Sequence, residues 1–206
     1  MLGDGIATIY GLDRAPVPAA GGFGDRQLDR LFAELSGASF GGGLYRVHTP
    51  ELARLWTHKA EQCFPEYRGR VVCFGYDWLG RQFALDREPR DGARHVVLLL
   101  EPGTGDVLEI PATVASLHTE ELVQYGDAAL ALSFYADWRE ATRDEEYLQQ
   151  DECVGYDVPL FLGGEDEVAN LSRIDMDVYW TITAQLRHGT LRLPPGTTVR
   201  DVSRDG

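Results

Sequence analysis

The chain has 206 residues, 44% hydrophobic and 25% charged, which is ordinary globular usage and excludes disorder throughout. It contains no run of about 18 apolar residues, so it offers no membrane span, and its net charge of −14 disfavours direct binding to nucleic acid through a basic surface. That charge is unevenly placed: residues 1–100 hold 12 acidic and 12 basic side chains, whereas residues 101–206 hold 21 and 7.

Residues 1–24 read as a loose arm rich in glycine and alanine, with one short strand at 6–10. In DRQLDRLFAELSG, Leu28, Leu31, Phe32 and Leu35 fall at i, i+3, i+4 and i+7, one helical face, with Asp25 as cap and Gly37 as stop. FGGGLYRVH gives a flexible stretch and a strand at 44–47. Thr49 followed by Pro50 opens a second helix along which Leu52, Leu55, Trp56, Lys59 and Cys63 recur, and Pro65 ends it.

From Arg70 the apolar period drops to two. RVVCFGY, RQFALD, HVVLLLE and DVLEI predict four strands joined by DWLG, EPRDG and PGTG, an antiparallel meander. In DWLG, Gly80 supplies a positive φ and Asp77 a carboxylate for the turn backbone. SLHTEELVQY predicts a short helix. DAALALSFYADWREA predicts a longer one capped by Asp127, with Leu130, Phe134 and Trp138 on one face. RDEEYLQQDE is a polar loop and VGYDVPLFLGGEDE a buried turn. DMDVYWTITAQLRHG predicts a helix capped by Asp175 and ended by Gly189, with Tyr179, Ile182 and Leu186 on one face. The expected fold is α+β, a mainly antiparallel sheet packed against helices, as one domain over 25–190 followed by a polar tail at 191–206.

Few residues carry chemistry. Cys63, Cys73 and Cys153 are odd in number and widely spaced, which argues against a disulfide framework or a zinc site and for a reducing, cytoplasmic compartment. The five histidines form no H-E-x-x-H or H-x-H pair, and the glycine clusters GGFG and FGGGL match no phosphate loop, so no metal or cofactor is expected. His118 beside Glu120 and Glu121 is the one arrangement suited to acid–base work, although exposed helix starts look the same. The acidic clusters are the most visible feature: Asp144, Glu145 and Glu146, then Asp151 and Glu152, then Glu165, Asp166 and Glu167. They read either as solvated loops or as a docking surface for a cationic protein. Trp180, off the main helical face, is the candidate exposed aromatic anchor, while core packing suits Trp78 and Tyr179.

Five strings in order, GGLYRVHTPE, CFGYDWLGRQFALD, LLLEPGTGDVLEIP, CVGYDVPLFLGGED and DMDVYWTITAQL, resemble the SUKH-related immunity proteins. The likeness, spread over about residues 25–190, is to the C-terminal domain of the Tdi type VI secretion immunity family. It implies a non-enzymatic protein that binds and neutralises a cognate toxin or effector, often a nuclease, with no catalytic residues to carry over. It also implies that Gly75, Asp77, Trp78, Gly80, Gly103 and Gly105 serve the fold. The contacts expected to meet a basic toxin are the eight acidic residues named above and Trp180. The alternative is a small-molecule or regulatory module with a pocket between sheet and helices, Trp56 or Tyr45 at its mouth.

Overall fold

The computed structural model describes residues 1–88, 96–143 and 146–190. Most of the EPRDG loop, Asp144, Glu145 and the tail at 191–206 lie outside the described residues. Among those described, seven strands form one antiparallel sheet in sequence order: β1 (Leu12–Arg14), β2 (Ser39–Phe40), β3 (Tyr45–Val47), β4 (Val71–Asp77), β5 (Gln82–Asp86), β6 (Val97–Glu101) and β7 (Asp106–Ile110). The last four are the expected meander.

The sheet is covered on both sides, so its central strands read as unbroken apolar runs instead of alternating with polar residues. Period two still sorts the side chains. Val72, Phe74, Phe83, Leu85, Val97 and Leu99 enter one core, beside the helix Arg26–Leu35. Val71, Cys73, Ala84, Leu98 and Leu100 enter the other, against the helices Pro50–Cys63 and Met176–Thr190. The α+β class follows from this layering.

Local chemistry starts the helices as read. The Asp25 carboxylate accepts from the backbone N–H of Gln27 and Leu28, and Thr49 Oγ1 accepts from Leu52. The second helix buries Ala53, Trp56, Ala60 and Cys63, however, and leaves Leu55 half in water.

Several readings are corrected. The arm at 1–24 is built into the fold: a helix, Asp4–Tyr10, replaces the strand expected at 6–10, and β1 follows it. The β-branched run favoured a strand, but Ile6 is buried and Ala7 and Tyr10 pack against the same core, an i, i+1, i+4 spacing that one face of a helix presents and an alternating strand does not. The glycines of FGGGL form an ordered turn, not a flexible stretch. Gly41, Gly42 and Gly43 all have positive φ, and a Cβ on Gly43 would stand 2.7 Å from Leu148 Cβ. The helix expected from Asp127 breaks at Ala131, where φ is 50°, into Gly126–Leu130 and Leu132–Thr142. The Asp127 carboxylate accepts from Ser133 N–H, which starts the second piece. The break frees the Leu130 carbonyl, which accepts from Trp78 Nε1 at 2.8 Å.

A second sheet, β8 (Glu152–Tyr156) paired with β9 (Leu171–Asp175), stands where a polar loop and a buried turn were expected. It is joined to the first sheet by the DWLG turn. That turn is buried, unlike most hairpin turns. Trp78 N–H donates to Leu44 O, Val154 N–H donates to Trp78 O at 2.7 Å, and Trp180 Nε1 donates to Gly80 O at 2.8 Å. Inside it, Asp77 accepts from the N–H groups of Leu79 and Arg81 and from Arg81 Nε at 2.6 Å.

Two histidines are locked in the cores. His118 is fully buried between Tyr45 OH and Val114 O, at 2.8 and 2.7 Å, and burial lowers its pKa from 6.5 to about 4. His48, bonded to Gln82 and stacked on Tyr76, is lowered to about 3, again chiefly by burial. His118 therefore has no route to a substrate, and the acid–base reading of it falls.

Two tests follow from this packing. Gly80 has a φ of 74°, and a Cβ there would lie 3.0 Å from Cys153 Sγ. Gly80→Ala is expected to cost at least about 2 kcal/mol in urea unfolding, from left-handed strain plus overpacking; an unchanged midpoint would contradict the buried turn. The His118 pKa is depressed on folding, so its contribution is fully present above pH 6.5 and is lost as pH falls toward 4. His118→Gln is expected to flatten the pH dependence of stability in that window by roughly 3 kcal/mol at its acid end. Glu101, raised by burial, acts in the opposite sense in both proteins, so the difference between variant and wild type is the readout.

Candidate functional site

The last helix is held by its first turn. Asp175 Oδ1 accepts from Val178 N–H at 2.9 Å, and Asp177 pairs with Lys59 on the helix Pro50–Cys63. Its buried stripe is Met176, Tyr179, Trp180 and Thr183. Trp180, expected as an exposed anchor, is only 2% accessible and packs edge-on to Trp56 and Phe64. It braces the core. Ile182 lies on the same side as Tyr179, as expected, but is half exposed, as is Val178.

The β8–β9 hairpin lies alongside this helix. Between them runs a notch of about 130 Å³, floored by Tyr156 and Tyr179 and walled by Pro159, Ile174, Ile182 and Leu186. The carboxylates predicted to bind a partner stand at the two ends of the hairpin. At one end, Glu152 is paired across the strands with Asp175, and Asp151 O accepts from Met176 N–H. Arg173 gathers this end, donating to Glu152 at 2.7 Å and to Tyr147 O at 2.9 Å, with Glu146 at 3.7 Å. At the other end, the loop between β8 and β9 carries Glu165, Asp166 and Glu167, all exposed. Asp166 accepts from Tyr156 OH at 2.6 Å. Asp144 and Glu145, from the same expected set, lie outside the described residues.

The apolar members of this face, Val158, Ile174, Val178, Ile182 and Leu186, were missed as site residues. Part of the signal was present: Tyr179, Ile182 and Leu186, spaced i, i+3 and i+7, were read as one face, and all three line the notch. The small-molecule reading placed Trp56 or Tyr45 at a pocket mouth, but both are buried, at 5% and 0% accessibility. Among the described residues no helix is long and apolar enough to cross a membrane.

The fold has a solved counterpart. The crystal structure of Atu4351 from Agrobacterium tumefaciens superposes with a TM-score of 0.53 over 88% of each chain at 16% identity, a likeness of fold. No curated protein matches the chain. The segment of the candidate face is more informative: residues 131–187, from the helix Leu132–Thr142 through the hairpin and nearly all of the last helix, match the family described as T6SS immunity protein Tdi1, C-terminal.

Proposed function

We propose that this chain is an immunity protein that binds a type VI secretion toxin and neutralises it by occlusion, with no chemistry of its own. The observation that carries the reading is the family match over 131–187. The geometry supports it, because the matched segment brings together an apolar notch and flanking carboxylates. We further propose that the toxin is a basic domain, of the kind that acts on nucleic acid. The excess negative charge lies in the second half of the chain, where it attracts a cationic partner over distance and repels polyanions. Asp151, Glu152, Glu165, Asp166 and Glu167, with Glu146, Asp144 and Glu145, are the groups assigned to steering. Three reduced thiols suit action in the cytoplasm.

The direct test is co-expression with the effector encoded beside this chain. Cells expressing the effector alone are expected to arrest and cells expressing both to grow, with a stable complex recovered. Growth arrest in both strains would overturn the reading. Steering has a separate signature. Converting Asp151, Glu165, Asp166 and Glu167 to amides is expected to lower the association rate about tenfold at low salt, with the gap closing at high salt. An unchanged rate would remove the acidic face from the encounter.

A further inference from the structure

Ile182 stands 48% exposed at the wall of the notch, and Val158 and Val178 nearby are each 47% exposed. We propose that this notch seats an apolar side chain of the toxin, presented on a segment with basic residues to either side; the inference rests on the immunity reading and names what this face recognises.

At about 130 Å³ the notch is near the size, on the order of 150 Å³, at which an apolar cavity takes up a benzene-sized group. Its walls are Pro159, Ile174, Ile182 and Leu186, and its floor is two tyrosine rings, surfaces that reward an aliphatic or aromatic anchor and offer a polar one little. The one charged residue that lines it is a carboxylate, Asp157, which accepts from Ser172 Oγ at 3.0 Å; further carboxylates stand at the ends of the hairpin, Asp175 at one and Glu165 and Glu167 in the loop at the other. The two arginines of the hairpin and last helix are directed at their own chain. Arg173 alternates to the opposite face from Ser172 and Ile174 and holds Glu152, while Arg187 donates to Cys63 O and Glu66. A second copy of this chain would bring the same carboxylates against these, a like-charge contact that disfavours self-association. A basic segment with one apolar anchor satisfies both features.

Two arms test this. In the first, methyl NMR of the intact chain follows titration with the peptide acetyl-Arg-Arg-Leu-Arg-Arg-amide. Saturable shifts are expected at the methyls of Ile174, Ile182 and Leu186. Binding should be at least tenfold weaker when the leucine is glycine and lost when the arginines are glutamates. Shifts elsewhere, equal affinity for the glycine peptide, or concentration-dependent shifts of these methyls without peptide (the mark of self-association) would overturn the proposal. In the second arm, Ile182→Asp is compared with Ile9→Asp, an exposed apolar control on the first helix, against the co-expressed effector. Ile182→Asp is expected to weaken the complex at least tenfold and Ile9→Asp to leave it unchanged, with Ile182→Ser as the substitute if the aspartate variant fails to fold. If Ile182→Asp binds like wild type, the notch is overturned and the immunity reading stands. If wild type itself fails to bind, the immunity reading falls and the peptide arm alone decides the notch.

Discussion

The structure turns on a buried ion pair inside a hairpin turn. Asp77 is inaccessible and Arg81 nearly so, yet they meet at 2.6 Å within four residues of each other. Taking two charges out of water costs several kcal/mol per ion, which is tolerated only when the remaining donors and acceptors are filled. Here they are. The Asp77 carboxylate takes two backbone N–H groups of its own turn, Arg81 also reaches Ala129 O, and Glu101 lies 4.0 Å from the guanidinium. Arg46, fully buried from the neighbouring strand and stacked over Tyr76, donates to Asp77 O and to the carbonyls of Gln149 and Glu152. The turn is therefore the place where the seven-stranded sheet meets the hairpin and the last helix. Removing one partner would strand the other in the interior, a loss of about 3–5 kcal/mol.

This arrangement explains why Trp180, expected as an exposed anchor, is buried. Trp78, Trp138 and Trp180 are all spent on the junction: Trp78 ties to Leu130, Trp180 to Gly80, and Trp138 packs on Trp78. What the junction leaves at the surface is smaller and softer: two exposed aliphatic side chains on the outer stripe of a helix, a shallow notch, and carboxylates at the ends of a short hairpin. Surface substitutions away from packed features usually stay within about 0.5 kcal/mol of neutral, so this exterior can change with little cost to the buried turn.

Much of the fold was legible because local signals and tertiary packing agree. Asp25 before the Leu28–Leu31–Leu35 stripe, Thr49–Pro50, and the apolar run at 96–100 each point to one structure, and the chain adopts it. The misses share a cause, which is that contacts distant in sequence overrode a local preference. The β-branched run near Ile6 becomes a helix that packs on residues more than a hundred positions away, with Tyr10 OH donating to Leu122 O. The helix through Ala131 breaks where Trp78, more than fifty residues earlier, needs the Leu130 carbonyl. Glu152–Tyr156 carries a glycine, follows the acidic Asp151, and pairs with a segment fifteen residues on, across a loop that gives no hairpin signal. At the candidate site the acidic ends of the hairpin could be found from composition, because charge is written residue by residue. The notch could not, because it requires knowing which of two stripes on the last helix faces inward, and that is decided by Tyr179 and Trp180 packing under the turn.

The account requires the face that carries the notch to be held by the buried turn and presented as a preformed surface. Native-state hydrogen exchange tests this most directly, by comparing the Val154 amide, bonded to Trp78 O, with the His48 amide, bonded to Phe74 O in the main sheet. If the turn unites the two sheets, both amides exchange through the same global opening and converge on one free energy as denaturant rises. If Val154 opens about 2 kcal/mol or more below His48 through its own local unfolding, the hairpin and last helix are a separate unit and the turn is not what holds them.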